Sequence, residues 1–174
     1  LQADVTPKLQ QMLYTQQRVY LFASSSTGVM EGAVRQASTK RILNTVCGAF
    51  SKRWHDMTVR NGLACDKLEV ALGQAVTPEL VDEALSKNEY DAITIVMNET
   101  ATGIMNPVAD ITALVHAKYP EVLILVDAVS CMAGTKIEFD AWNLDVCLAG
   151  VQKCFALPAG LTICAVSDRA RERA

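Results

Sequence analysis

Lys153 lies in Ala149-Gly150-Val151-Gln152-Lys153-Cys154-Phe155, an otherwise apolar stretch just past a strand-like run. Burial in such surroundings strips water from an ammonium group, lowers its pKa and leaves an amine nucleophile. The same neighbours also suit a lysine that lays its stem on apolar surface and keeps its head in water. Asp127 ends Val122-Leu123-Ile124-Leu125-Val126-Asp127, the most apolar strand-like run of the chain. An acid at the mouth of a buried strand must be solvated, paired or functional. It suits a partner for a cationic ring nitrogen or a metal, and equally a turn or cap. Ser24-Ser25-Ser26-Thr27-Gly28 is the third candidate. Small side chains let the backbone approach an anion, and a helix start adds free N–H groups and positive potential. A plain hydroxyl N-cap fits there too. No Gly-Lys-Ser/Thr follows it, and no Gly-x-Gly-x-x-Gly is present, so both nucleotide fingerprints are absent.

Helical and strand patterns alternate along the chain. Short strands are expected at Val19–Ala23, Ile42–Cys47, Cys65–Ala71, Ala92–Met97, Val122–Val126, Val146–Ala149 and Leu161–Val166. Helices are expected from Thr6-Pro7, over Gly28–Gln36 and Lys52–Arg60, from Thr77-Pro78 to Lys87, over Val108–Lys118, and from Asp168 onward. The runs Ala92–Met97 and Val122–Val126 lack polar alternation, which suits strands covered on both faces. The expected fold is α/β, with a doubly wound, mainly parallel sheet and helices on both faces. Ligands of such sheets sit beyond the carboxyl ends of the strands. That rule selects 24–28, 47–50, 98–103, 127–131 and 150–153, where every candidate above falls.

The 174 residues are 51% hydrophobic and 20% charged with a net charge of −3, which suits one folded domain over 1–174 and gives no basic face for nucleic acid. No apolar run is long enough to span a membrane, and no signal peptide is evident. The six cysteines form no Cys-x-x-Cys pair and there are two histidines, so a metal site is not expected. Reduced thiols in a cytoplasmic protein are expected instead.

Leu125-Val126-Asp127-Ala128-Val129-Ser130, Asp145 through Lys153, and Leu157-Pro158-Ala159-Gly160-Leu161 together resemble the class V, fold-type I pyridoxal-phosphate aminotransferases. The alanine/serine–glyoxylate group is the nearest in flavour, and the likeness runs from about Val19 to the end. The resemblance implies that Lys153 carries the cofactor pyridoxal 5′-phosphate and then moves a proton between substrate and cofactor. It implies that Asp127 pairs with the pyridine nitrogen. Ser25, Ser26 and Thr27, helped by Gln152, would hold the phosphate. Phe50 would stack on one ring face and Val129 touch the other, with Thr100 near the phenolic oxygen. A small amino acid such as serine or alanine and a 2-oxo acid such as glyoxylate or pyruvate would be the substrates, and a homodimer the assembly.

Departures from the family pattern are Ser24–Ser26 where glycine is usual, Val151 where serine is common, and Cys47 where asparagine is usual. The family's N-terminal arm and its C-terminal small domain, with an arginine for the substrate carboxylate, are expected to lie outside these residues. A phosphonate transaminase, a cysteine desulfurase-like enzyme and an inactive cofactor-binding fragment are the alternatives. Gln152-Lys153 stands where desulfurases show His-Lys. Phe50 also reads as core, and Glu99 as a turn cap. Trp54 and Trp142 read as packing residues, and His55 and His116 receive no role.

Overall fold

The computed structural model describes residues 2–174. The strands are β1 (Arg18–Phe22), β2 (Ile42–Val46), β3 (Cys65–Glu69), β4 (Ala92–Val96), β5 (Asn98–Glu99), β6 (Ile104–Met105), β7 (Leu123–Asp127), β8 (Val146–Gly150) and β9 (Thr162–Val166). The helices are α1 (Gln2–Met12), α2 (Ser26–Ala37), α3 (Ala49–Arg60), α4 (Pro78–Leu85), α5 (Val108–Lys118) and α6 (Asp168–Arg173). Seven strands form one sheet in the order β1-β9-β8-β7-β4-β2-β3. The pairs β8–β7, β7–β4, β4–β2 and β2–β3 are parallel, and β9 runs antiparallel to both its neighbours. The carboxyl ends of β1, β2, β4, β7 and β8, and the start of β9, therefore share one edge.

All five residues of β4 and of β7 are buried, as continuous aliphatic runs in a two-sided sheet should be. Successive β7 side chains alternate between two cores. Ile124 and Val126 pack with Leu9 of α1, Val81 of α4 and Ile111 of α5, while Leu123 and Leu125 pack with Val34 of α2 and Trp54 of α3. A truncation to Ala at such fully buried positions costs roughly 2–5 kcal/mol. By this alternation Asp127 points to the α2/α3 side, level with Val96 in the β4–β7 register.

Several helix starts follow their local signals. Thr77 caps α4 ahead of Pro78, its Oγ1 accepting Leu80 N–H at 3.4 Å, and Ser167 caps α6. The expected start of α1 at Thr6-Pro7 is corrected. That helix already runs from Gln2, with Pro7 inside it. Pro7 removes one early hydrogen bond, while Val5, Leu9, Met12 and Leu13 still pack on the core. The hairpin of β5 and β6 was not expected, because two-residue strands carry no periodicity. Among the described residues no helix is long and apolar enough to cross a membrane.

Candidate functional site

At the shared strand edge, between the starts of α2 and α3, lies a cavity of about 260 Å³. All nine residues singled out from the sequence line it: Ser25, Ser26 and Thr27 from α2 and its cap; Phe50 from α3; Thr100 from the β5–β6 turn; Asp127 and Val129 from β7 and the loop after it; Gln152 and Lys153 beyond β8. Residues up to 138 positions apart in sequence meet here, as in the hydrogen bond from Thr162 Oγ1 to Ser24 O at 2.9 Å.

Asp127 is the electrostatic centre. It is only 5% exposed, its Oδ1 accepts the N–H of Val129 at 2.8 Å, and among the described residues it forms no ion pair. Burial pushes its carboxyl up to about 6, the Val129 N–H opposes that, the nearby Glu99 charge adds to it, and Arg53 draws it down. A desolvated carboxylate with so little compensation is suited to a cationic hydrogen-bond donor entering the cavity.

The opposite end is built from hydroxyls. Ser25 is the N-cap of α2, its Oγ accepting Gly28 N–H at 3.3 Å, so Ser26 and Thr27 occupy the first helical turn. N–H groups there lack intrahelical partners and carry the positive end of the helix dipole. Gly150 ends β8 against this turn. A Cβ at Gly150 would stand 2.5 Å from Gln152 Oε1 and 2.6 Å from Ser26 Oγ, so only glycine lets the two side chains converge. An anion seated there would meet a helix start, hydroxyls and the Gln152 amide together.

Lys153 is exposed, which agrees with the second of its two sequence readings, a lysine that keeps its head in water beside apolar neighbours. Past Gly150 the chain leaves the sheet in a turn, with Ala156 N–H donating to Lys153 O at 2.9 Å and Leu157 N–H to Val151 O at 3.1 Å. Val151 goes into the core and Lys153 stays on the cavity side.

Phe50 is half-buried and lies in the first turn of α3, which begins three residues earlier than the pattern from Lys52 suggests. The cause is tertiary. Glu99, fully buried, accepts the N–H of Phe50 at 3.1 Å and of Ser51 at 2.9 Å, together with the Ser51 hydroxyl at 2.9 Å. Glu99 therefore caps a helix 48 residues away as well as its own turn, where it takes the Ala101 N–H at 3.2 Å.

Nine further residues line the cavity, and among them Met30, Arg53, Asn98 and Ser130 had no role in the sequence reading. Arg53 lies one helical turn past Phe50, and its guanidinium carbon sits 5.2 Å from the ring centroid. Helical i, i+3 spacing would have found it. Asn98 Nδ2 donates to Ser130 Oγ at 2.9 Å, and the Ser130 hydroxyl returns to Asn98 O at 2.8 Å, tying β5 to the loop after Asp127. Cys47, where the family usually has asparagine, is buried below the cavity and takes the Asn106 amide at 3.2 Å. Trp54 packs in the core and donates to Met30 O at 3.3 Å. Neither His55 nor His116 lines the cavity. Among the described residues no group of His, Cys, Asp or Glu is placed to hold a metal ion.

The chain matches the family model for aminotransferase class-V over residues 7–174. It is 39% identical over 159 residues to serine–glyoxylate aminotransferase of Hyphomicrobium methylovorum, covering 88% of this chain and 39% of that protein. It is 37% identical over 164 residues to L-aspartate–glyoxylate aminotransferase of Paracoccus denitrificans, covering 91% of this chain and 41% of that one. Among solved structures it superposes on alanine–glyoxylate aminotransferase from Nostoc sp. with a TM-score of 0.91 at 25% identity, over 98% of this chain and 46% of that one. The chain thus spans less than half the length of each of these relatives.

Proposed function

The chain belongs to the class-V aminotransferase family, and on that premise we propose that it is the cofactor-binding large domain of a pyridoxal-phosphate transaminase. The reaction proposed moves an amino group between a small amino acid, serine or alanine, and a 2-oxo acid such as glyoxylate or pyruvate. The observation that carries this is one cavity in which Lys153, a buried carboxylate at Asp127 with no ion pair among the described residues, an aromatic ring at Phe50 and a hydroxyl-rich helix start converge. The names of the serine–glyoxylate and L-aspartate–glyoxylate relatives support glyoxylate as the 2-oxo acid, and the first of them supports serine as the donor.

Pyridoxal phosphate, when bound, supplies an electron sink that stabilises charge at the substrate Cα. The residues present fit that group. In this reading the Lys153 amine would carry the cofactor and would hold and move a proton at the substrate Cα. Asp127 accepts the pyridine N–H and keeps that nitrogen protonated. Ser25, Ser26, Thr27 and Gln152 bind the phosphate at the α2 start. Phe50, Val129 and Thr100 line the same cavity, and in this reading Phe50 and Val129 would contact the ring while Thr100 would offer it a hydroxyl. The same reading carries a homodimer in a reducing, cytoplasmic setting, consistent with six free cysteines.

The test is a titration of the purified protein with pyridoxal phosphate, followed by an assay with serine or alanine plus glyoxylate. A visible absorption band that Lys153→Ala abolishes, together with turnover that the same substitution removes, is expected. No band in the wild type, or an identical band in Lys153→Ala, sinks the proposal.

A further inference from the structure

We propose that Glu99 is a positioning residue whose buried carboxylate clamps the start of α3, which carries Phe50, to the β5–β6 turn, which carries Thr100, so that both are set against the bound cofactor as one unit. The inference deepens the pyridoxal-phosphate reading and rests on it for the identity of the ligand.

Four donors from two separate segments converge on this carboxylate. Phe50 N–H, Ser51 N–H and the Ser51 hydroxyl come from α3, with Oε2 distances of 3.1, 2.9 and 2.9 Å. Ala101 N–H comes from the turn, at 3.2 Å to Oε1. Charge-assisted bonds of this kind are stronger and more directional than neutral ones. The approach is close enough to exclude a side chain at Gly48, where a Cβ would stand 2.5 Å from Glu99 Cγ. Ser51 Oγ also accepts the N–H groups of Cys47 and Gly48 at 3.0 Å each, so the chain leaving β2 joins the same unit. Thr102 Oγ1 adds a second tie, donating to Cys47 O at 3.3 Å. Phe50 and Thr100 each stand next in sequence to a clamped N–H or to Glu99 itself, and both line the cavity. Stacking tolerates little displacement of a ring face, so a clamp on the backbone of Phe50 fixes the wall without touching the ligand. The Glu99 charge also acts through space on Asp127, in the direction of holding its proton.

The test compares Glu99→Gln, Glu99→Asp and Ser51→Ala in the purified protein. Three readouts are taken: amide hydrogen exchange at residues 50, 51 and 101 without cofactor, the dissociation constant for pyridoxal phosphate, and the pH dependence of the bound cofactor's absorption. For Glu99→Gln, exchange is expected to speed by about tenfold or more at both segments together, with cofactor binding weaker by about tenfold. The absorption midpoint moves with it, because the charge on Asp127's field is gone. Glu99→Asp restores that midpoint but not the affinity, the shorter stem failing to reach both segments. A fold-preserving Glu99→Gln with wild-type affinity and midpoint overturns the proposal, as does faster exchange at 50–51 with residue 101 unchanged. If Glu99→Gln does not fold, Ser51→Ala decides. It removes one donor from α3, and faster exchange at residue 101 across the clamp supports the unit, whereas exchange confined to α3 refutes it. A wild type that binds no pyridoxal phosphate overturns the cofactor reading, and the exchange data still judge the clamp.

Discussion

Glu99, just past the end of β4, and Asp127, the last residue of the adjacent β7, are two buried carboxylates treated in opposite ways. Glu99 is saturated: three N–H or O–H groups from the start of α3 and one from its own turn converge on it. Asp127 receives the Val129 N–H and, among the described residues, no cation. Burial raises the energy of both ionised forms. At Glu99 the protein's own donors offset that within the fold, and the group builds a wall. At Asp127 the compensation is left incomplete, and burial holds its carboxyl at about 6. The difference separates a carboxylate that shapes a cavity from one that awaits what enters it.

The largest effect should come from Asp127→Asn. In the proposed function the ring nitrogen loses its anionic partner, and turnover is expected to fall by on the order of 100-fold or more. Stability should hold or rise, since a poorly compensated buried charge has been removed. A Glu99→Ala protein should behave in the reverse sense and melt earlier, because it orphans several buried N–H groups. An Asp127→Asn protein that turns over normally but melts early, measured by steady-state assay and thermal unfolding, would falsify the contrast.

The pH dependence of stability sharpens the same contrast with a smaller effect. Unfolded Asp releases its proton near pH 4, whereas folded Asp127 holds it to about 6. Between those values the folded chain binds more protons than the unfolded one. This group's contribution is therefore greatest below about pH 4, falls as pH rises to about 6 and is flat above. The full swing is about 3 kcal/mol. Denaturant unfolding of the cofactor-free protein from pH 4 to 7 should show wild type losing that much relative to Asp127→Asn. Parallel curves for the two proteins across that window would show that Asp127 does not titrate in it.

Much of the architecture was legible because each signal was local. The buried runs at β4 and β7, the Thr77-Pro78 cap and the hydroxyl run before α2 need nothing beyond their own neighbours. The strand-edge rule then placed all nine candidates in one cavity. What escaped was set by distant residues. The first turn of α3 exists because Glu99 caps it from another strand, so helical pattern alone started it late. Glu99 itself, read as a turn cap, was half understood, since its bond from Ala101 is local and its shorter bonds from α3 are not. The apolar neighbours of Lys153 left burial and exposure both open, and the turn after β8 decides it, with Val151 packing inward and the lysine outside. Ser130 and Asn98 carry no pattern, and only folding brings their side chains to 2.9 Å.

The smallest effect concerns Arg53, which acts on both sides of the contrast. Its guanidinium lies over the Phe50 ring that Glu99 positions, and its charge lowers the Asp127 carboxyl. It is exposed, so solvent screens it, and the shift it exerts is expected to be small. Arg53→Gln should move the Asp127 transition slightly upward, while Arg53→Lys should leave it in place. Ring stacking follows the other property of the residue. A lysine keeps the charge but loses the planar group over the aromatic face, so Arg53→Lys is expected to weaken cofactor affinity slightly without moving the transition. Measured side by side, the two substitutions separate the electrostatic hold on Asp127 from the mechanical hold on Phe50. If both variants shift affinity and transition together, Arg53 does not act on the two groups independently, and the two walls of the cavity are coupled through it.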